Sequence, residues 1–213
     1  MMLEMQQYTP SQVQPVKKTI VNGDKEVEVF EVVVEGEEYE KCEAQSTNMW
    51  ANSKTGEWGS GLMNNKDDPR KTERTGNLGE MAFAKVFNLP VDFSYKRGGD
   101  DQDFMLFGKH SLNIKNAARN YGQALVKAVT DTGYPVPPKN DIYVFSYIAS
   151  EDRENKRATV MLVGYEVKDA IVAREKVPAI KGKHLNYAIP YNELKPISRL
   201  FEAYQKHQTK KAA

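Results

Sequence analysis

The chain is poor in the residues that build metal or disulfide frameworks: it has one cysteine, Cys42, and three histidines, at positions 110, 184 and 207. A single thiol forms no internal disulfide, and so few ligands assemble no Cys/His zinc framework. Long apolar runs are missing too, since nothing approaches the roughly 18 apolar residues of a membrane-spanning helix. The opening residues, MMLEMQQYTPSQ, have neither the basic end nor the apolar stretch of a secretory signal. The expectation is a soluble, cytoplasmic protein with no membrane partner. Charge of one sign is also scarce, and a net charge of +1 does not by itself announce a polyanionic partner. What is present is globular. The 213 residues are 40% hydrophobic and 28% charged, which excludes collagen-like, low-complexity and wholly disordered classes. The length suits one domain, or one domain with an extra arm.

Charge is distributed unevenly. Between Asp24 and Glu43 nine acids face two bases, Lys25 and Lys41, a local charge of −7 that leaves +8 on the remainder. A basic remainder is compatible with a phosphate-binding surface, because such binding follows local potential. It is equally compatible with two solvated faces. Bases are frequent from Arg153 to Lys183, where eight face four acids.

Periodicity and turn residues divide the chain. Lys17–Val21, an Asn22-Gly23 turn and Glu26–Val34 read as a β-hairpin, and a second turn at Glu35-Gly36 predicts a third strand over Glu38–Ala44. Residues 1–45 are thus expected to form an acidic antiparallel β arm, and residues 46–213 an α/β core. Ser46 to Lys71 reads as loop, with Trp50 and Trp58 either pinning it to the body or offering stacking platforms. Leu78, Ala82, Phe83, Val86 and Phe87 recur at helical spacing and predict a helix over 78–87. Two short strands follow, Asp103–Phe107 and Ser111–Lys115, and Asn120–Val129 reads as a short helix or ordered loop. Strands are expected over Asp141–Ala149 and Ala158–Tyr165, with helices over Glu166–Ala173 and Tyr191–Gln208. The fold class is α/β, a mixed central sheet flanked by helices.

Three segments carry groups suited to chemistry. Glu80 lies at the border of the buried stripe of its helix, where packing holds a carboxylate rigidly. In Leu112-Asn113-Ile114-Lys115, alternation sends Leu112 and Ile114 to the core and Asn113 and Lys115 to the other face. Ahead of that strand stands Gly98-Gly-Asp-Asp-Gln-Asp103-Phe. An aspartate at one strand's start and a lysine on the next bring an acid and an ammonium together. His110, alone in a turn, reads as structural or solvated.

Gly79-Glu80 opening a helix, an aspartate at a strand start and a residue-x-Lys on the next strand resemble the PD-(D/E)XK, or restriction-endonuclease-like, nuclease superfamily. Arg74-Thr-Gly-Asn-Leu-Gly-Glu, Gly98-Gly-Asp, Val163-Gly-Tyr and Tyr187-Ala-Ile-Pro-Tyr-Asn-Glu-Leu look like its phage and bacterial members that carry a Gly-Glu helix. The resemblance covers about residues 70–200. It implies a restriction-endonuclease-like core and hydrolysis of phosphodiester bonds in DNA with Mg²⁺, or Mn²⁺ in its place. By the same resemblance Asp103 is the main metal ligand, Glu80 holds the metal directly or through water, the Ile114 carbonyl is a further ligand, and Lys115 orients the water and stabilises developing charge. Arg74, Arg97, Arg119 and Lys127 are expected to face the DNA backbone.

One position departs from that pattern. Two residues before the lysine the superfamily carries Glu or Asp, and here stands Asn113, whose amide oxygen brings no negative charge and cannot act as a base. Asp100 or Asp101 could supply the missing carboxylate. A protein that keeps the fold to bind DNA without cutting it is the alternative. Cleavage of two strands would suit a homodimer.

Overall fold

The computed structural model describes residues 7–55, 70–93, 102–179 and 184–212. Its main sheet begins with the hairpin β1 (Val16–Asn22) and β2 (Lys25–Glu35), paired in antiparallel register around the Asn22-Gly23 turn, where Gly23 takes φ +67°. The hairpin joins the body directly: β2 also pairs antiparallel with β7 (Arg157–Val167), from Phe30 opposite Leu162 to Glu35 opposite Arg157. Beyond β7 come β6 (Ile142–Asp152), β4 (His110–Ala117) and β3 (Phe104–Leu106). The β4–β6 pair is parallel and its neighbours are antiparallel, so the sheet is mixed.

Both faces of this sheet are covered, which explains why β6 reads Ile-Tyr-Val-Phe-Ser-Tyr-Ile without polar alternation. On one face pack α1 (Glu37–Thr55), α2 (Lys71–Phe87) and α4 (Ile197–Ala212), burying Phe30, Leu112, Val144 and Leu162 against Tyr39, Phe83, Phe87 and Ile197. Phe83 stacks on Phe87 with ring centres 4.1 Å apart. Truncating one such ring to alanine costs about 3–5 kcal/mol. The other face carries Tyr143, Phe145, Tyr147 and Val163. It is closed by a small antiparallel sheet of β5 (Gln123–Val129), β9 (Leu185–Pro190) and β8 (Lys176–Pro178), with the short helix α3 (Lys168–Val172) beside it.

Several expectations are corrected. The segment 38–44 is helical, not a third strand. Gly36, at φ +58°, ends β2, Glu37, Glu38 and Glu40 in the first turn favour the positive end of the helix dipole, and the buried Tyr39, Cys42 and Ser46 recur at helical spacing. That helix runs on to Thr55, where a loop was expected. Helix α2 begins seven residues earlier than 78 and ends on Asn88, whose left-handed backbone (φ 51°) lets its N–H bond the Ala84 carbonyl. Asn120–Val129 holds a strand, β5, in which Ala124, Val126 and Ala128 point inward while Leu125, 39% exposed, and Lys127 point out. The expected helix over 191–208 is interrupted. Tyr191–Glu193 forms one 3-10 turn, Lys195–Pro196 forms β10 against Tyr165 and Gly164 of β7, and only then does α4 start. Pro196 holds the residue before it extended, and Gly164 makes room for β10, since a Cβ there would lie 2.7 Å from the Lys195 carbonyl.

Candidate active site

The candidate site forms where α2 crosses the open edge of β4. Strand β3 covers β4 from Leu106 opposite His110 to Phe104 opposite Leu112, and among the described residues no strand pairs with this edge of β4 from Ile114 onward. Asp103, one residue before β3, closes this gap. Its N–H donates to the Leu112 carbonyl (2.9 Å), and its carboxylate accepts the Ile114 N–H at 2.5 Å through Oδ2 and the Asn113 amide at 3.3 Å through Oδ1. In a strand the N–H and C=O of one residue point to the same edge. The Ile114 carbonyl is therefore directed toward the side on which the Asp103 carboxylate sits.

Continuing the β3–β4 register places Asp103 opposite Asn113, and alternation puts Lys115 on that same face. The Asn113 Oδ1 atom is buried with no hydrogen-bond partner. A buried carbonyl oxygen left unsatisfied costs about 1–3 kcal/mol, so an acceptor held beside a carboxylate is a place where a hard cation or a water would be stabilised. Asn113, Asp103 and the Ile114 carbonyl thus present oxygen donors side by side. Among the described residues no group of three or more His, Cys, Asp and Glu side chains gathers.

Helix α2 brings Glu80 to this edge by a contact that tolerates no side chain. A Cβ on Gly79 would lie 2.6 Å from the Asn116 Cβ, and the Asn116 amide donates to the Thr75 carbonyl at 2.6 Å. The helix backbone is thereby pressed onto β4 one residue before Glu80. Sequence reasoning passed over Asn116; its signal was a polar residue at an inward-facing strand position, aligned with the helix glycine.

Lys115 is exposed by area, yet its flanks are packed, and this partial desolvation pulls its ammonium below the ordinary lysine range. Asp103 and, less strongly, Glu80 act in the opposite direction and favour the charged form. The ammonium thus lies within the field of both carboxylates.

The remaining expected residues are scattered. Arg74 is 2% exposed and turned inward, its Nε donating to Glu151 at 2.6 Å, while the Tyr39 hydroxyl donates to the same carboxylate at 2.8 Å. Its expected place on a phosphate-binding surface is corrected: burial commits the guanidinium to tying α1, α2 and β6 together. Arg119 and Lys127 are exposed, in the loop after β4 and on β5. Arg97, Asp100, Asp101 and Trp58 lie outside the described residues, as does the Gly98-Gly99 motif. His110 faces Asp141 at 3.7 Å and the Phe107 ring, at the turn of the β3–β4 hairpin.

The basic run after Arg153 is partly spent within the chain. Arg157 pairs with Glu35, Lys156 with Glu40, Arg153 with Glu43, and Arg174 with Glu193. No family model, curated protein or solved structure matches this chain, so the geometry of these residues carries its functional reading.

Proposed function

We propose that the protein is a divalent-metal-dependent nuclease that hydrolyses phosphodiester bonds in DNA, on a restriction-endonuclease-like core. The observation that carries the reading is the Asp103 carboxylate, held by the Ile114 N–H and the Asn113 amide on the face that carries Lys115, beside an unsatisfied Asn113 oxygen. The order of α2, the β3–β4 hairpin, a parallel step to β6 and an antiparallel return along β7 supports it.

The oxygens present fit a hard cation such as Mg²⁺ or Mn²⁺: the Asp103 carboxylate, the Ile114 carbonyl, the Asn113 amide oxygen and, directly or through water, Glu80. When bound, such an ion polarises a phosphoryl oxygen and acidifies coordinated water. The chain's own groups do the rest. The Ile114 N–H fixes the rotation of the Asp103 carboxylate. Lys115, whose charged form the two carboxylates favour, donates to the phosphate oxygen on which charge develops. Desolvation strengthens that interaction relative to water. Arg119 and Lys127, both exposed, extend a positive surface for the DNA backbone.

The test is incubation of the purified protein with circular, linear, branched and single-stranded DNA in Mg²⁺ and in Mn²⁺. Metal-dependent cleavage that disappears in Asp103→Ala and Lys115→Ala, both still folded by circular dichroism, is the expected result; undiminished cleavage in both would refute the assignment. Asn113 favours a second reading, DNA binding without cleavage, because an amide replaces a carboxylate among the donors. Steeply salt-dependent DNA binding with no cleavage in either ion would select it.

A further inference from the structure

The loop that leaves the candidate site is held rigidly while two of its side chains face solvent. Between Lys115 and β5 the chain runs Asn116-Ala117-Ala118-Arg119-Asn120-Tyr121-Gly122. Ala117 lies opposite Tyr147 of β6 on the face that carries Lys115, and the Tyr147 ring lies parallel to that of Tyr191 at 6.2 Å. Asn120 accepts the Gly122 N–H at 2.8 Å, and the Gly122 carbonyl accepts the Tyr191 N–H at 3.1 Å. Gly122 has φ +72°, and a Cβ there would lie 2.9 Å from Asn22 Oδ1. Each anchor is a backbone atom or the side chain of residue 120.

The side chains on either side of Asn120 are left out of this anchoring. Tyr121 is 49% exposed, and the guanidinium of Arg119 lies over its ring, 5.0 Å from the centre. A tyrosine that exposes half its surface on a fixed loop, with a cation on one face, has no packing role that needs its ring. An aromatic face beside a guanidinium is what a nucleobase stacks on, whichever base it is. Arg119 is four residues from Lys115, so their Cα atoms are at most about 14 Å apart, the reach of two or so nucleotides of strand.

Resting on the nuclease reading above, we infer that Tyr121, backed by Arg119, is a stacking platform for an unpaired base next to the scissile phosphate, so that the substrate is single-stranded DNA or a single-stranded segment at an end or junction. A base within a duplex is stacked on its neighbours and offers no free face, whereas an unpaired base gains the full contact.

The test separates this inference from the catalytic one by measuring binding in EDTA, where metal-dependent cleavage is silent. Fluorescein-labelled dT12, an abasic strand of equal length and a 12-base-pair duplex are titrated with the full chain by anisotropy. The wild type is expected to bind dT12 at least about fivefold more tightly than the abasic strand, the lower limit for one stacked base. Tyr121→Ala is expected to abolish that ratio and Tyr121→Trp to keep it, with duplex binding equal in all three proteins. Equal binding of dT12 and abasic strand by the wild type, an unchanged ratio in Tyr121→Ala, or equal losses on duplex and single strand would each overturn the inference. Absence of cleavage in Mg²⁺ and Mn²⁺ with the Tyr121-dependent ratio intact would remove the nuclease reading and leave the platform standing.

Discussion

Lys85 and Lys115 are both desolvated lysines placed near two carboxyl-bearing elements, and they are satisfied in opposite ways. Lys85, on α2, is buried, paired with Glu38 of α1 and donating to the Val33 carbonyl at 2.8 Å; Glu38 also accepts the Ser11 N–H at 3.1 Å. Every element around it is tied down by this knot. Lys115 lies within the fields of Asp103 and Glu80, yet among the described residues it makes no ion pair or hydrogen bond. A buried, saturated ammonium serves structure, whereas an exposed one with no ion pair or hydrogen bond among the described residues is available to something outside the chain. The same contrast separates Arg74, which is locked onto Glu151, from Arg119, which lies on an exposed ring.

Substitutions sharpen this contrast. Lys85→Met strands the Glu38 carboxylate in the interior, so it is expected to lower unfolding free energy by about 3–5 kcal/mol, read from the denaturant midpoint, while the folded fraction keeps its DNA activity. Lys115→Ala should do the reverse: a loss of cleavage of about 10²–10³-fold with stability altered by less than about 1 kcal/mol. If Lys115→Ala unfolds the protein and Lys85→Met does not, the roles assigned here are exchanged. Gly79→Ala drives a methyl group into Asn116 and is expected to cost about 1–3 kcal/mol and to depress cleavage by moving Glu80, both measurable on one preparation.

Two smaller effects refine the site. Asn113→Asp adds a carboxylate facing Asp103; the two like charges repel without an ion and share it when it binds. Divalent-ion affinity should then rise by about tenfold or more, visible as a larger metal-induced upward shift in melting temperature than in the wild type. Glu80→Gln removes one of the two charges that hold the Lys115 proton. Since burial lowers the affinity of this ammonium for its proton and Glu80 raises it, the variant must titrate at lower pH than the wild type. The Lys115 ¹³Cε resonance reports this directly, and a move to higher pH would show that Glu80 and Lys115 are not coupled.

Much of the arrangement was legible in the sequence because it rests on alternation and helical spacing. Leu112 and Ile114 point to the core, Phe83 and Phe87 line α2, and Glu80 sits at the border of that stripe, as their spacing dictates. What escaped has specific causes. The segment 38–44 contains apolar residues at both two- and three-residue intervals, and only the continuation to Ser46 distinguishes a helix. In β5 the inward positions Ala124, Val126 and Ala128 alternate with an outward leucine, Leu125, so the apolar residues do not sort cleanly by face. Arg74 looks like a surface base in one dimension, because the carboxylate that buries it, Glu151, is 77 residues away.

The pairing of β2 with β7 has a practical consequence for the acidic segment. A chain shortened beyond Glu35 would lose two strands along with its acids, and the main-chain donors and acceptors of β7 from Arg157 to Leu162 would become a raw sheet edge, inviting intermolecular pairing. Truncation would therefore report on aggregation rather than on charge. Isosteric amides at Glu35 and Glu40 would remove the ion pairs of Arg157 and Lys156 while leaving the strand in place, and they isolate what the negative charges themselves contribute.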